Sequence, residues 1–202
     1  RHGVDTSQVL ISSTLHTAHF VVTTDQSLNQ IASFFPGAMS EARNIELPPI
    51  MDSVGRLDMM VISPDDPAAM LNHSDVCRQL SIPFAADPSQ QMARMTGEEI
   101  KALIEGATYL FLNEYELALA IQKTGWSDRE ILEKVKYRIV TLGSKGAKVE
   151  STDGELVHVD CPTEKSKKDP TGVGDSFRSG IIAGLSWGVS HERCAQLGAM
   201  IA

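Results

Sequence analysis

From Leu57 onward the chain alternates short apolar runs with helical patterns, and this alternation constrains its fold more than any other feature. Met59-Met60-Val61-Ile62 precedes a helix from Ala68 to Leu80, and Phe84-Ala85-Ala86 precedes one from Gly97 to Glu105. Tyr109-Leu110-Phe111-Leu112 leads into a helix ending near Lys123, and Ile139-Val140-Thr141-Leu142 follows. Thr96 with Glu99 and Ser127 with Glu130 have the spacing of capping boxes, which fixes two helix starts. Such a chain builds a parallel sheet with helices on both faces, an α/β class. Two more strands, Ala147 to Ser151 and Leu156 to Val159, turn back across Asp153-Gly154.

In open α/β sheets, ligands bind beyond the carboxyl ends of the strands. Chemistry should therefore cluster just after each strand. Asp87-Pro88-Ser89-Gln90-Gln91 follows the second, Asn113-Glu114-Tyr115-Glu116 the third and Thr141-Leu142-Gly143-Ser144-Lys145-Gly146 the fourth. Asn113 and Glu116 could hold the water shell of Mg²⁺, or serve only as a helix cap and a surface acid. Thr141, Gly143 and Gly146 form a turn that either only reverses the chain or lets a nucleotide lie on bare backbone. The amides of Gln90 and Gln91 suit the edge of a purine or sugar, although two adjacent surface glutamines are commonplace.

A fourth group, Asp169-Pro170-Thr171-Gly172-Val173-Gly174-Asp175, carries the sharpest chemistry. Val173, Phe177, Ile181 and Leu185 recur every four positions after it, so the glycines open a helix and Asp175 lies in its first turn. Bare amides at a helix start attract an anion, and a phosphate fits. A carboxylate there would repel that phosphate unless it accepts a proton from an attacking hydroxyl. The ordinary alternative is an N-capping Asp after a glycine turn.

Residues 8–35 read differently, as strand-like runs Val9-Leu10-Ile11, Ala18 to Val22 and Gln30 to Phe34, with a turn at Asp25-Gln26-Ser27. They predict a small, half-exposed antiparallel sheet. Phe20, Phe34 and Met39 would plug its thin apolar layer or stack on a flat ligand. Pro48-Pro49 marks the change of pattern, giving an appendage over residues 1–48 and an α/β core over 49–202.

Composition narrows the partners. A net charge of -8 without a basic stripe argues against nucleic acid, and Lys165, Lys167 and Lys168 read as a solvated loop. Three cysteines without metal or redox spacing suit buried thiols in a reducing, cytoplasmic setting. His16 and His19 should face opposite sides of a strand, which disfavours a metal site. No apolar run is long enough for a membrane helix, so no membrane partner is expected. The opening at Arg1-His2 and the close at Met200-Ile201-Ala202, inside an apolar helical pattern, are those expected of a piece of a longer protein.

Asn113-x-x-Glu116, Thr141-x-Gly143-x-x-Gly146 and Asp169-x-Thr171-Gly172-x-Gly174-Asp175, in this order, resemble the PfkB or ribokinase-like family of carbohydrate and nucleoside kinases. The resemblance covers nearly the whole chain. Ala85 to Gln91 and Asp169 to Phe177 look most like the adenosine kinases of actinobacteria. The implied fold is ribokinase-like and Rossmann-like, with a small antiparallel β lid.

By position, the resemblance makes Asp175 the catalytic base and Gly172, Val173 and Gly174 an anion hole. Asn113, Thr141, Gly143 and Gly146 fall on ATP-binding positions, and Glu116 on the one serving Mg²⁺ through water. Asp169 and Thr171 fall where many members hold a monovalent cation, commonly K⁺. Phe20, Phe34, Met39, Gln90, Gln91 and Arg94 fall on the nucleoside pocket. The implied activity is ATP-dependent phosphorylation of a ribosyl 5′-hydroxyl, foremost adenosine to AMP in purine salvage, by a homodimer joined through the lid. A ribose-type sugar kinase and a non-catalytic nucleotide-binding regulator are the alternatives. The family's first strands and sugar-gripping Asp would precede Arg1, and the end of its nucleotide pocket would follow Ala202.

Overall fold

The computed structural model describes residues 3–26, 30–163 and 171–202. Its larger sheet has six strands in sequence order: β3 (Met60–Ile62), β4 (Phe84–Ala86), β5 (Tyr109–Asn113), β6 (Tyr137–Thr141), β7 (Ala147–Ser151) and β8 (Leu156–Val159). β3 to β6 are parallel, and β7 and β8 complete the edge as antiparallel strands. The parallel pairs are those the alternating sequence demands, because each return to the same end needs a helical crossover.

Side chains alternate across each strand, so the sheet has two apolar faces. Ile62, Phe84, Ala86, Leu110 and Leu112 face one core, shared with α2 (Pro67–Gln79), α3 (Gly97–Ile104), α4 (Glu114–Thr124) and α5 (Asp128–Glu133). Ala85, Tyr109, Phe111, Ile139, Val149 and Val159 face the other, covered by α6 (Val173–Ser186) and α7 (His191–Ile201). The expected capping boxes at Thr96/Glu99 and Ser127/Glu130 are both formed. α6 and α7 touch backbone to backbone: a Cβ on Gly180 would come 2.5 Å from the Gly198 Cα. That contact fixes how far α6 reaches over the sheet, and so where its first turn lies.

The smaller sheet is the expected hairpin, β1 (His19–Thr24) with β2 (Gln30–Phe35). Val9, Leu10 and Ile11 are not part of it, contrary to their strand-like sequence; they are exposed and form no strand, because no sheet edge is offered to their backbone. Nor is the hairpin only half exposed. Phe20, Phe34 and Phe35 keep 53%, 46% and 58% of their surface, so the reading of Phe20 and Phe34 as plugs of a thin core fails.

Pro48 and Pro49 lie inside a helix, α1 (Leu47–Val54), rather than in a connecting segment. Proline is compatible with a first helical turn, where amides have no intrahelical acceptor. Cys77 and Cys194 are buried as expected, and burial pushes the Cys77 thiol up to about 11. Cys161 is exposed, against expectation. His16 lies outside β1, and its carbonyl accepts the Ala38 amide at 2.8 Å. No helix among the described residues is long and apolar enough to cross a membrane.

Candidate active site

A cleft of about 510 Å³ opens at the carboxyl edge of the parallel strands. Asp87 and Gln90 enter from the loop after β4, Asn113 and Glu116 from the β5–α4 junction, and Thr141 from the end of β6. Gly172, Gly174, Asp175 and Arg178 enter from the start of α6. Groups far apart in sequence therefore converge on the edge where strand topology places ligands.

Gly172 caps α6 with φ 81°, a left-handed conformation that favours glycine. Its carbonyl accepts the Ser176 amide at 2.8 Å, closing the first turn. Asp175 follows in that turn with a side chain 82% exposed. The N-cap is a glycine and supplies no side-chain acceptor to the first-turn amides. Gly174 also makes room for a neighbour, since a Cβ there would come 2.6 Å from Arg178 Nη1.

Across the cleft, Asn113 and Glu116 form a third capping box, at the start of α4. The ordinary role of Asn113 as a cap is thus filled, whereas Glu116 is not a plain surface acid: it is partly buried and closes the box. The box uses Asn113 Oδ1 and Glu116 Oε2, however, while Glu116 Oε1 has no part in it. A partly buried carboxylate with one oxygen outside the capping box, in the same cleft as the start of α6, is an acceptable donor for Mg²⁺, which keeps most of its waters and takes few protein ligands. No cluster of three or more His, Cys, Asp or Glu among the described residues could cage a metal without such help. The residues present therefore fit a hydrated Mg²⁺ shared with phosphates.

Asp87 is the buried acid of the site. It is 2% exposed, and Arg178 Nε donates to its Oδ2. Burial pushes its carboxyl up to about 6, the Arg178 charge opposes that rise, and Glu116 and Asp175 add to it. The sequence places Asp87 in the polar group after the second strand without a role of its own, and Arg178 does not stand out there. An Asp-Pro pair directly after a strand and an Arg three residues beyond Asp175 were the available signals.

Other expected positions lie outside the lining. Val173 is 41% exposed at the start of α6, and Gly143 and Gly146 form the turn beside Thr141 without lining the cleft. Gly146 is needed there for packing, because a Cβ would come 1.9 Å from the Val159 carbonyl oxygen. Gln91 is buried instead of surface-exposed, and its Oε1 has no hydrogen-bond partner. Arg94 is exposed after the 3-10 turn Ser89–Ala93, and Met39 is partly buried in another, Gly37–Asn44. Phe20 and Phe34 stand on the hairpin and do not line the cleft either. Thr171 lies outside the lining as well, while Asp169 and the three lysines at 165, 167 and 168 fall outside the described residues.

An open, mostly parallel sheet with a glycine-capped helix start and acidic residues at one carboxyl-edge cleft defines an α/β protein, and solved members of the ribokinase family share its fold. The pfkB family carbohydrate kinase pattern matches residues 1–202, and the chain belongs to that family. Among curated relatives, the nucleoside kinase of Methanocaldococcus jannaschii is 28% identical over 199 residues, which are 98% of this chain and 64% of the relative. Among solved structures, Burkholderia thailandensis nucleoside kinase in complex with inosine superposes with TM-score 0.83 at 32% identity, over 92% of this chain and 62% of that one. Sinorhizobium meliloti adenosine kinase shares the fold, with TM-score 0.73 at 20% identity over 92% of this chain and 59% of that one. The chain thus spans somewhat less than two thirds of each of these proteins.

Proposed function

We propose that the protein is an ATP-dependent kinase that phosphorylates the 5′-hydroxyl of a purine nucleoside, with adenosine giving AMP as the leading case. The observation that carries this reading is Asp175 in the first turn of α6, beside Gly172 and across one cleft from the Asn113–Glu116 capping box. The nucleoside kinases to which the chain is similar support the acceptor class.

In this reading the amides of Gly172, Val173 and Gly174 hold the transferring phosphoryl group, and Asp175 accepts the proton of the attacking hydroxyl. Glu116 and Asn113 would hold the water shell of Mg²⁺, which neutralises phosphate charge when bound. Thr141, Gly143 and Gly146 border the nucleotide. Residues 1–48 act as a lid over the 49–202 core, with Phe20, Phe34, Met39, Gln90, Gln91 and Arg94 serving the nucleoside. Lid pairing in a homodimer is testable by sedimentation, and a monovalent cation at Asp169 and Thr171 by potassium titration.

The test is turnover of the full-length protein on adenosine, inosine and ribose in parallel. Asp175→Asn should lower kcat by on the order of 10² to 10⁴ with little change in nucleotide affinity. Unchanged turnover removes Asp175 from the chemistry, and a strong preference for ribose overturns the nucleoside assignment. Binding of ATP and adenosine without AMP formation would instead make the protein a nucleotide sensor.

A further inference from the structure

We propose that Asp87 is a positioning residue that holds the Arg178 guanidinium off Asp175, keeping the Asp175 carboxylate open to a proton donor in the cleft. The inference rests on the reading of Asp175 as the base. Residues three apart on a helix share a face, so a close pair between Asp175 and Arg178 is the default arrangement at the start of α6. It does not form. Arg178 Nη2 stands 3.7 Å from Asp175 Oδ1, beyond hydrogen-bond range, while Nε donates to Asp87 Oδ2 on the loop after β4.

Burial explains which acid wins. The Asp87 side chain is 3% exposed and the Asp175 side chain 82% exposed, so the guanidinium gains more from the carboxylate that water does not solvate. Gly174 leaves the room for this pose, as the 2.6 Å approach of a Cβ to Arg178 Nη1 shows. The charged groups facing Asp87 are Arg178 and Asp175 from α6 and Glu116 from α4. Those facing Asp175 are Arg178 and Asp87. Two carboxylates, Asp87 and Asp175, therefore share one guanidinium, and the pose of Asp175 depends on Asp87 keeping its share.

Neutralising Asp87 should free Arg178 to close on Asp175. An opposite charge brought nearer favours the ionised carboxylate and weakens it as a base. The predictions have definite signs. Asp87→Asn should lower single-turnover rates roughly 10- to 100-fold, part of the full worth of a general base, and move the acidic limb of the rate–pH profile down. Arg178→Gln should move that limb up with a smaller loss of rate. The double variant should be faster than Asp87→Asn alone, because the capturing guanidinium is gone.

A pair that only supports the fold would change the folded fraction without moving the limb. The measurement is single-turnover phosphorylation of adenosine against pH in the full-length protein, with the folded fraction checked by circular dichroism. A double variant no faster than Asp87→Asn, or limbs that stay put, overturns the inference. If Asp87→Asn does not fold, the upward limb shift in Arg178→Gln decides alone. Asp175→Asn separates the two readings: wild-type turnover there removes the base itself, whereas an inactive Asp175→Asn with no suppression removes only the role of Asp87.

Discussion

Asn113 and Glu116 cap one helix reciprocally: Asn113 Oδ1 accepts the Glu116 amide at 2.8 Å, and Glu116 Oε2 accepts the Asn113 amide at 2.8 Å. Structural and chemical roles are superposed in this pair, and substitution can separate them. Gln at 116 can still accept the Asn113 amide, so Glu116→Gln should leave stability within about 0.5 kcal/mol of wild type. Its kinase activity should fall and require more Mg²⁺ for half-maximal rate. Asn113→Ala should instead cost about 0.5–2 kcal/mol in urea unfolding, because the cap itself is lost. An unaltered Mg²⁺ requirement in Glu116→Gln would leave this pair a cap and nothing more.

Phe20 and Phe34 are directly opposed across the hairpin, and both rings are exposed. Without a core to fill, Phe34→Ala should change stability by no more than about 0.5 kcal/mol. If the ring stacks on a purine in the closed state, the same substitution should weaken adenosine binding by roughly 1–3 kcal/mol, about thirtyfold at the middle of that range. Calorimetric titration of the full-length protein with adenosine reads this directly. An unchanged Kd sinks the stacking role and leaves the exposed aromatic pair to subunit contact.

The sheet was legible because each strand is a short apolar run between turn residues and two of its helices start with capping boxes, all signals local in sequence. Asp175 and the Asn113–Glu116 pair were legible because their spacing places them at helix starts. Val9 to Ile11 misled because a strand-like run carries no information on whether a partner edge exists. The Phe20 and Phe34 plug failed for a related reason: exposure depends on what packs against a hairpin, not on the hairpin itself. α1 was hidden because Pro48-Pro49 reads as an interruption, although a first helical turn accepts both prolines. Arg178 was missed because three-residue spacing from Asp175 suggests an exposed helix neighbour. Its hydrogen-bonded partner, Asp87, lies 91 residues earlier.

Asp87 also gives the fold a defined pH response. Its carboxyl stands at about 6 in the folded protein against an ordinary 3.8, so the folded state binds more protons than the unfolded state between those values. The Asp87 contribution is therefore fully present below pH 4 and is lost as pH rises through about 6, to a limit of about 3 kcal/mol. Urea unfolding at intervals from pH 4 to 7 should show wild-type stability falling relative to Asp87→Asn across this window. Parallel curves for the two proteins would mean that the Arg178 pairing fully compensates burial.

Gly198 is the packing position on which the placement of Asp175 depends. A Cβ there would come 2.7 Å from the Phe177 carbonyl oxygen and 3.0 Å from its ring, so the obstacle includes backbone that cannot rotate away. Gly198→Ala should therefore destabilise the protein by about 1–3 kcal/mol, as overpacking does elsewhere, and lower its thermal midpoint. Phe177 lines the cleft two residues beyond Asp175, so a shift of α6 away from α7 to relieve the clash would carry the first turn with it. Turnover should consequently fall even at temperatures where Gly198→Ala stays folded, with kcat affected more than KM. A variant that loses stability but keeps wild-type kcat would show that the first turn of α6 is positioned by the cleft loops and not by its packing on α7.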